Sequence, residues 1–411
     1  MAGRWARVCG ALPLVLALLL TVPGGAGSSE ARGGREPGIV PGGAADESSV
    51  TLAELQLLRT QPAPPAIGAR SAIVWDATAG VELFSKNPDE RVAPASTTKM
   101  LTALVALDLL QLDTRIAVDP RDISLSEYGE SSMGLASGDT LTFGDLLYGM
   151  LLKSGSDAAR VVARAGGLVL LAGAPGDPIA RFMGEMNARA AQLALPNSHF
   201  VNPQGDDVPG QYSSARDLLR IADEALKRPD FARVVATATI TVKTIDGRHS
   251  FDLVNTNDLV WSRPGVHGVK TGTTPECGEC LVTAQWGSGG RIISVVLGAT
   301  NRLADTTTLL DWTNASYRWL TLGQGGDLAG LNAALTRWGV GFRDKRAVVL
   351  QAWEAPTLRY YLLLDGTGGA LGGPRGQVVF IAGVREVLRL PVYALVPTSS
   401  PAPGTPTPPR P

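Results

Sequence analysis

A serine and a lysine stand three positions apart at the entrance to an apolar segment, as Ser96 and Lys99. The apolar run predicts a helix over Lys99–Leu112, and residues three apart lie on the same side of a helix. A lysine in an apolar setting loses proton affinity and can take a proton from a neighbouring hydroxyl. The pair therefore indicates nucleophilic catalysis by Ser96, although a lone Ser-x-x-Lys more often means a helix cap beside a solvated lysine.

Two more serines interrupt a helical pattern predicted over Phe143–Ala165. They are Ser154 and Ser156, and Asp157 follows them. Their hydroxyls can bond to carbonyls of the preceding turn or mark a helix break, which is the commoner explanation. The catalytic alternative is that Ser154 passes a proton between Lys99 and a leaving amine.

A third polar group lies along a predicted strand, as Lys270, Thr271, Gly272 and Thr273. Lysine and threonine beside a glycine can bind a carboxylate and let another backbone approach closely. The alternative is a hairpin end with a surface lysine, and for this group alone that alternative is favoured. A second Lys-Thr pair at 243–244, followed by isoleucine, shows that part of the pattern recurs in the chain.

An antiparallel sheet and several helices are needed to bring these groups together. β-branched runs and apolar residues at helical spacing predict the strands Ala72–Trp75, Val81–Phe84, Gly268–Thr271, Leu281–Trp286 and Ile292–Gly298, and the helices Lys99–Leu112, Phe143–Ala165, Ile179–Leu195 and Thr306–Leu320. This order indicates a mixed α/β (α+β) fold whose antiparallel sheet is assembled from both ends of the domain. The first helix is apolar on nearly all sides, which predicts a central position.

The three motifs together, in this order on one chain, follow the set typical of penicillin-recognising serine enzymes. The chain resembles the low-molecular-mass penicillin-binding proteins, specifically the serine D-alanyl-D-alanine carboxypeptidases. Beyond the motifs, the resemblance runs from about Ser71 to Tyr317 and includes the segments 87–90, 131–134, 186–188, 201–207, 266–273 and 278–283.

The resemblance implies a fold like that of the serine β-lactamases, with a sheet flanked by helices and an all-helical part across a cleft. It also implies that Ser96, deprotonated by Lys99, attacks the carbonyl between the last two D-alanines of a peptidoglycan stem peptide. D-alanine leaves, water hydrolyses the acyl-enzyme, and β-lactam antibiotics acylate the same serine. The backbone amides of Ser96 and Thr273 would form the oxyanion hole.

The resemblance further implies which side chains meet the substrate. Lys270, Thr271 and Thr273 would hold the free carboxylate, with Arg302 as another candidate for that task. The full set of implied substrate-binding residues is Ser156, Lys270, Thr271, Gly272, Thr273 and Arg302. No cofactor is implied.

The second motif departs from the family pattern at Ser156, where an asparagine is usual. An amide donates and accepts hydrogen bonds toward Lys99 and a substrate carbonyl, whereas a hydroxyl is shorter and has one donor. The change predicts a reduced rate or a different substrate preference. The alternatives are a transpeptidase, an endopeptidase, a β-lactamase or a catalytically weakened wall-binding module. The lack of an obvious glutamate-containing loop for deacylation disfavours the β-lactamase.

Composition limits the classes of partner. The chain has 411 residues, 45% of them hydrophobic, and this predicts one main domain with an appendage. Its net charge is −1 and it has no long basic run, so we expect small or peptidic partners and neither nucleic acid nor anionic lipid.

The two ends of the chain differ from its centre. The N-terminus has a secretory signal layout, with Arg4 and Arg7, an apolar run over Ala11–Val22 and small residues to position 27. The apolar run is too short to span a bilayer. We therefore expect an exported protein without a stable transmembrane segment in its mature form, in the periplasm or cell-wall space. The predicted organisation is signal peptide 1–27, flexible linker 28–66, catalytic domain 67–323, small β domain 341–396 and proline-rich tail 397–411. Within the β domain, strands are predicted near 347–353, 360–364, 377–381 and 387–393.

Cysteine and histidine content indicates little further chemistry. Cys277 and Cys280 follow the third motif, and the sequence leaves open a local disulfide or two buried thiols. The histidines at 199, 249 and 267 are scattered without paired ligand spacing, so no metal site is predicted.

Overall fold

The computed structural model describes residues 63–123, 130–287, 289–322, 326–343, 347–365 and 373–395, together with the backbone of 39–42. The predicted signal peptide, most of the predicted linker and the proline-rich tail lie outside the described residues. Those three predictions remain predictions.

The described strands fall into a central sheet of five strands, a smaller sheet that also has five strands but fewer residues, and three two-stranded sheets. In chain order they are β1 (Ile39–Gly42), β2 (Ser71–Asp76), β3 (Val81–Lys86), β4 (Arg115–Ala117), β5 (Thr140–Thr142), β6 (Thr239–Lys243), β7 (Ser250–Val254), β8 (Val266–Thr274), β9 (Gly278–Gly287), β10 (Gly290–Ala299), β11 (Tyr317–Leu320), β12 (Val340–Gly341), β13 (Val348–Gln351), β14 (Leu358–Leu364), β15 (Pro374–Ala382) and β16 (Arg385–Ala394).

The described helices lie mostly between β3 and β8. They are α1 (Lys99–Leu109), α2 (Phe143–Leu151), α3 (Ser156–Leu171), α4 (Pro178–Gln192), α5 (Ala215–Ala225), α6 (Pro229–Val235), α7 (Leu259–Ser262), α8 (Arg302–Ser316) and α9 (Ala329–Arg337). Three short 3-10 turns accompany them, at Ala95–Thr98, Pro120–Ile123 and Ala355–Thr357.

The central sheet has the strand order β3, β2, β10, β9, β8, and every neighbouring pair is antiparallel. Strands from the start of the domain thus pair with strands from its end, which confirms the predicted mixed fold. Asp76 closes the β2–β3 turn, because its Oδ1 accepts hydrogen bonds from the backbone N–H of Thr78 and Ala79.

Both faces of the central sheet are covered by helices. Successive strand residues point to opposite faces, so Ile73 packs into the large core that includes α1, whereas Ala72 and Val74 pack with Leu309 and Leu310 of α8. The sheet is therefore the middle layer of three, and α8 provides the predicted closing helix.

Helix α1 is the centre of the helical region, as its apolar sequence predicted. Every residue from Lys99 to Leu107 is buried. Because no side of the segment 99–107 faces water, a polar side chain on it needs partners from other elements. This requirement applies directly to Lys99.

Two predicted helices differ from the structure, one by an interior break and the other at both of its ends, since it spans Arg302–Ser316. The helix predicted over Phe143–Ala165 is two helices, because Ser154 has a φ of 63° that an α-helix cannot contain. The helix predicted over Thr306–Leu320 ends at Ser316, since Tyr317 has an extended backbone and starts β11, which pairs with β13.

The smaller sheet has the strand order β1, β14, β15, β16, β12 and packs against α9 around its own apolar core. Strand β1 lies inside the segment 28–66, so the prediction of a flexible linker does not describe Ile39–Gly42, which pair with β14. The strand predicted near 347–353 pairs with β11 and not with this sheet. In the described part of the chain, no helix is long and apolar enough to cross a membrane.

The buried position of α1 generates a stability prediction. Leu104→Ala should lower the free energy of unfolding by about 2–5 kcal/mol, because Leu104 is 2% exposed and its loss leaves a cavity. Leu168→Ala is the matched control, since Leu168 is 51% exposed on α3 and should change stability by less than about 0.5 kcal/mol. Urea unfolding of both variants measures the difference, and equal destabilisation would contradict the central placement of α1.

Candidate active site

The 3-10 turn Ala95–Thr98 carries Ser96 to the start of α1, one turn before Lys99. Lys99 Nζ lies 2.8 Å from Ser96 Oγ, 3.3 Å from Ser156 Oγ and 2.7 Å from the Gln204 carbonyl oxygen. The lysine is fully buried and the serine is partly exposed. The arrangement places a buried amine directly behind an accessible hydroxyl.

The environment of Lys99 weakens its hold on a proton. Burial lowers the pKa of Lys99 from an ordinary 10.5 to about 7, while the carboxylates of Asp206 and Glu130 offset part of the shift. A substantial fraction of the amine is thus neutral near pH 7. A neutral amine 2.8 Å from a hydroxyl oxygen can act as its general base.

The second motif divides its two hydroxyls between two lysines. Ser156 Oγ contacts Lys99, whereas Ser154 Oγ accepts a hydrogen bond of 2.8 Å from Lys270 Nζ. Ser154 is not among the hydrogen-bond partners that the described residues give to Lys99. Ser154 has a positive φ in the connection between α2 and α3, and its side chain reaches Lys270 on β8.

Lys270 lies on β8 and is 1% exposed. Burial, followed by repulsion from Lys99 and Arg302, holds the pKa of Lys270 well below its ordinary value. Its ammonium also donates to the carbonyl oxygen of Thr271 at 2.9 Å. A second lysine of low proton affinity therefore stands across the cleft from the first.

The other residues of the third motif take different positions along β8. Thr271 is buried, and its Oγ1 lies 2.6 Å from Thr256 Oγ1. Thr273 is exposed and lines the cavity at Ser96, and Arg302 NH1 donates to Thr273 Oγ1 at 2.7 Å and to the Gly272 carbonyl at 3.1 Å. Thr273 and Arg302 thus present hydrogen-bond donors beside the nucleophile, whereas the Thr271 hydroxyl is occupied by Thr256.

Two glycines allow other segments to touch the turn that carries Ser96. A Cβ on Gly272 would lie 3.0 Å from Ala95 Cβ and 3.2 Å from Ser96 N. A Cβ on Gly205, whose φ is 100°, would lie 1.9 Å from the Ala95 carbonyl oxygen. Ala95 itself has a φ of 49°, which is uncommon for a residue with a side chain. The nucleophile is therefore held between β8 and the segment 201–207.

A cavity of about 250 Å³ opens at the nucleophile. Ser96, Ser156 and Thr273 line it together with the segments around Glu130 and Asp206. All nine residues proposed from the sequence lie in or next to this site, through the hydrogen bonds described above. The site is accordingly formed by α1, the α2–α3 connection, β8, α8 and the segment 201–207.

Sequence reasoning missed several contributors. Gln204 supplies a carbonyl to Lys99, and Thr256 supports Thr271. Asp157 holds the loop 131–135, because its carboxylate accepts hydrogen bonds from Ser132 Oγ and from the amides of residues 133, 134, 135 and 158. Segments 131–134 and 201–207 both belong to the family resemblance. The resemblance therefore marked these segments, but it did not assign a role to any residue in them.

Cys277 and Cys280 form a disulfide in the connection from β8 to β9, which decides between the two alternatives that the sequence left open. The backbone N–H of Cys277 also donates to Thr274 Oγ1, a residue that lines the cavity. The described residues contain no group of three or more His, Cys, Asp or Glu side chains that could hold a metal ion.

This fold and this site define a serine enzyme of the transpeptidase and β-lactamase class. The profile of the D-alanyl-D-alanine carboxypeptidase family matches residues 58–301, which is more than half of the chain. The chain belongs to the D-alanyl-D-alanine carboxypeptidase family.

Individual relatives agree with this assignment. A D-alanyl-D-alanine carboxypeptidase of Streptomyces sp. strain K15 is 35% identical over 60% of this chain and 88% of its own length. The D-alanyl-D-alanine carboxypeptidase DacF of Bacillus subtilis is 33% identical over 61% of this chain, and the match spans 63% of that relative, less than two thirds. The crystal structure of the Streptomyces K15 DD-transpeptidase superposes with a TM-score of 0.56 at 33% identity, over 61% of this chain and 99% of that one.

The Asp157 contacts generate a prediction for the cleft wall. Although burial acts to raise it, the hydrogen bonds from Ser132 and the neighbouring amides keep the pKa of Asp157 below its ordinary value. Asp157→Asn should lower the free energy of unfolding by about 2–3 kcal/mol, because an amide nitrogen would face backbone donors. Amide hydrogen exchange should also accelerate across residues 131–135.

Asp230→Asn provides the control, since this exposed carboxylate pairs only with Arg233 on α6 among the described residues. It should change stability by less than about 0.5 kcal/mol. Unchanged exchange in residues 131–135 of the Asp157 variant would show that other contacts hold this loop.

Proposed function

We propose that this chain is a serine-type D-Ala-D-Ala carboxypeptidase that removes the terminal D-alanine from peptidoglycan stem pentapeptides. The observation that carries the proposal is the buried Lys99 amine 2.8 Å from the hydroxyl of Ser96, within a cleft of this family's fold. β-Lactam antibiotics, which acylate serine enzymes of this class, would react with the same hydroxyl.

Acylation begins with proton transfer from Ser96 Oγ to the neutral amine of Lys99. The oxygen forms a bond to the carbonyl carbon between the last two D-alanines, and the carbonyl oxygen becomes an oxyanion. The backbone amides of Ser96 and Thr273 are the proposed donors to this oxyanion. Their placement is supported by the close approach of β8, where a Cβ on Gly272 would come within 3.2 Å of Ser96 N.

Collapse of the tetrahedral intermediate breaks the peptide C–N bond and releases D-alanine. Its amine needs a proton, and Ser154 is the proposed donor because its hydroxyl lies 2.8 Å from Lys270 Nζ and can be reprotonated by that group. Lys99 then loses the proton taken from Ser96, and Lys270 regains one through solvent, which restores both lysines. Water attacks the ester carbon while the neutral Lys99 takes one of its protons, the ester C–O bond to Ser96 breaks, and Lys99 returns that proton to Ser96 Oγ.

Recognition of the terminal carboxylate is assigned to the exposed end of β8. Thr273 Oγ1 and Arg302 NH1 lie 2.7 Å apart, so a carboxylate at this point meets a hydroxyl and a guanidinium together. Lys270, when protonated, adds positive charge three residues before Thr273 on the same strand. Thr271 supports the strand through its bond to Thr256 and does not need to contact the substrate.

The compartment follows from the substrate and from the N-terminal sequence. Peptidoglycan stem peptides lie outside the cytoplasm, and the signal layout of residues 1–27 supports export to the periplasm or cell-wall space. The Cys277–Cys280 disulfide is consistent with an oxidising environment.

A transpeptidase is the second candidate, because the structurally similar Streptomyces K15 protein is described as a DD-transpeptidase. Both reactions use the same acyl-enzyme and differ in whether water or an amine attacks it. Products formed in the presence of an acceptor amine separate the two activities.

Replacement of the nucleophile tests the proposed reaction. Wild-type protein should release D-alanine from a pentapeptide ending in D-Ala-D-Ala, and Ser96→Ala should abolish release because no other hydroxyl lies 2.8 Å from Lys99 Nζ among its described partners. D-alanine is quantified enzymatically, and labelled penicillin reports acylation. No release from folded wild-type protein would overturn the proposal, and rapid penicillin turnover would point to a β-lactamase.

The pKa of Lys99 predicts the pH profile. The neutral amine is the base, so with a pKa of about 7 only about 1% of Lys99 is competent at pH 5. The rate constant of penicillin acylation should rise about tenfold per pH unit below pH 7 and level off above about pH 8. Stopped-flow or labelling kinetics from pH 5 to 10 measure this profile.

Lys243→Gln is the control for removal of a lysine, because Lys243 lies on the exposed side of β6. Its profile should superimpose on that of the wild type. A rate that continues to rise tenfold per unit up to pH 9 would mean that Lys99 keeps an ordinary pKa or is not the base.

A further inference from the structure

A short polar segment lies between β7 and α7. It consists of Asn255, Thr256 and Asn257, of which the two asparagines are buried and the threonine is half-buried. Buried amide groups need hydrogen-bond partners. The partners of this segment lie in three other parts of the domain, and two of these parts belong to the active site.

The two asparagines hold the ends of this segment. Asn255 Nδ2 donates to the carbonyl oxygens of Val235 at 3.1 Å and Thr237 at 3.0 Å, at the end of α6. Asn257 Nδ2 donates to the Gly268 carbonyl oxygen of β8 at 2.8 Å. Strand β8 is an edge strand of the central sheet, with a neighbouring strand on one side only. Its position therefore depends on contacts of this kind as well as on β9.

Thr256 joins β8 to the connection that carries the second motif. Its backbone N–H and its Oγ1 lie 3.0 and 3.1 Å from the Leu152 carbonyl oxygen, and its Oγ1 lies 2.6 Å from Thr271 Oγ1. A carbonyl oxygen only accepts, and a hydroxyl has one proton to donate. Both contacts are hydrogen bonds only if Thr256 donates to Leu152 and Thr271 donates to Thr256.

This bridge stands beside the contact that the proposed reaction uses. Ser154 follows Leu152 by two residues, and Lys270 directly precedes Thr271. The hydrogen bond of 2.8 Å from Lys270 Nζ to Ser154 Oγ thus joins the same two parts of the chain as the Thr256 bridge. Loss of the Thr256 bridge therefore changes the spacing across which Lys270 and Ser154 exchange a proton.

Proton transfer to the leaving amine is sensitive to this spacing. Hydrogen bonds weaken steeply as their angle departs from linear, and a misplacement of about 1 Å can lower a rate about a hundredfold. In the proposed reaction the amine of D-alanine takes its proton from Ser154, which Lys270 reprotonates. The C–N bond does not break without that proton, because an amine does not leave as an anion.

We propose that Thr256 is a positioning residue for the proton relay from Lys270 through Ser154 to the leaving amine. It acts by fixing β8 against the connection between α2 and α3, and Asn255 and Asn257 hold it in place. This inference rests on the proposed function and adds to it a residue that determines which leaving groups the site expels.

Two substrates with different leaving groups test this role. One is a pentapeptide ending in D-Ala-D-Ala, and the other is the same peptide with thioglycolate, in thioester linkage, in place of the last D-alanine. A thiol has a pKa of about 8.5 and leaves as the thiolate, so the thioester does not need the relay. Released D-alanine and released thiol give kcat/KM for each substrate, which reports the steps up to the acyl-enzyme.

Thr256→Val removes the hydroxyl and keeps the shape of the side chain. It should lower kcat/KM about tenfold for the peptide and less than about twofold for the thioester, because only the peptide needs the positioned proton. Thr256→Ser retains the hydroxyl and should restore the wild-type value for the peptide. Thr336→Val on α9 is the matched control, since this exposed hydroxyl also donates to a backbone carbonyl, that of Asn332 at 2.9 Å, and should leave both values unchanged.

A double variant with Ser154→Ala shows whether Thr256 acts through the relay. In the Ser154→Ala background, Thr256→Val should lower kcat/KM for the peptide by less than about twofold, because the step that Thr256 positions is already lost. Effects of independent residues would multiply. Thr256→Ala serves in both backgrounds if thermal unfolding shows that the valine variant is not folded, and turnover of the thioester verifies the nucleophile in each variant.

The outcomes separate the two proposals. If wild-type protein releases no D-alanine from the peptide, the proposed function fails. If wild-type protein is active but Thr256→Val affects both substrates equally or neither, or if its effect multiplies with that of Ser154→Ala, the positioning role is wrong and the carboxypeptidase assignment stands. A loss that is confined to the peptide, recovered by Thr256→Ser and absent in the Ser154→Ala background establishes the role.

Discussion

The site depends on burying the amine of Lys99 beside the hydroxyl of Ser96. Removing an ammonium from water is costly, and this cost lowers the pKa of Lys99 to about 7, as its proposed role as a base requires. The burial requires a helix without a solvent-facing side, which is why α1 lies at the centre of the domain. It also requires hydrogen-bond partners, and Ser96, Ser156 and the Gln204 carbonyl supply them.

The same requirement explains why distant segments meet at the nucleophile. Lys99 can serve as a base only if the cleft reaches Ser96. Strand β8 and the segment 201–207 contact the turn that carries Ser96 from two sides. Gly205 allows a backbone contact that any side chain would prevent, and a Cβ on Gly272 would crowd Ala95 and Ser96. Ala95, with its positive φ, is held in its uncommon conformation by these neighbours. The geometry of the nucleophile is therefore a property of the folded domain and not of the motif alone.

Local chemistry was predictable from the sequence, and contacts between distant segments were not. The pairing of Ser96 with Lys99 needs only one helical turn, so spacing was sufficient. The contact of Ser154 with Lys270 joins residues 116 positions apart, and its direction depends on a backbone turn between α2 and α3 that periodicity does not reveal. Strand β1 was missed because four residues in a Gly- and Pro-rich segment carry no alternating pattern, and their pairing with β14 is set by the smaller sheet.

Two buried lysines in one cleft allow the site to supply both a base and an acid. Lys99 and Lys270 repel each other when both are charged, so protonation of one favours loss of the proton from the other. In the proposed reaction Lys99 receives the proton of Ser96, and the affinity of Lys270 for its own proton then falls. Ser154, hydrogen-bonded to Lys270, is then placed to relay that proton to the leaving amine. Ser156 contacts Lys99 and Ser154 contacts Lys270, so in the proposed reaction each hydroxyl of the second motif stands at one end of the transfer.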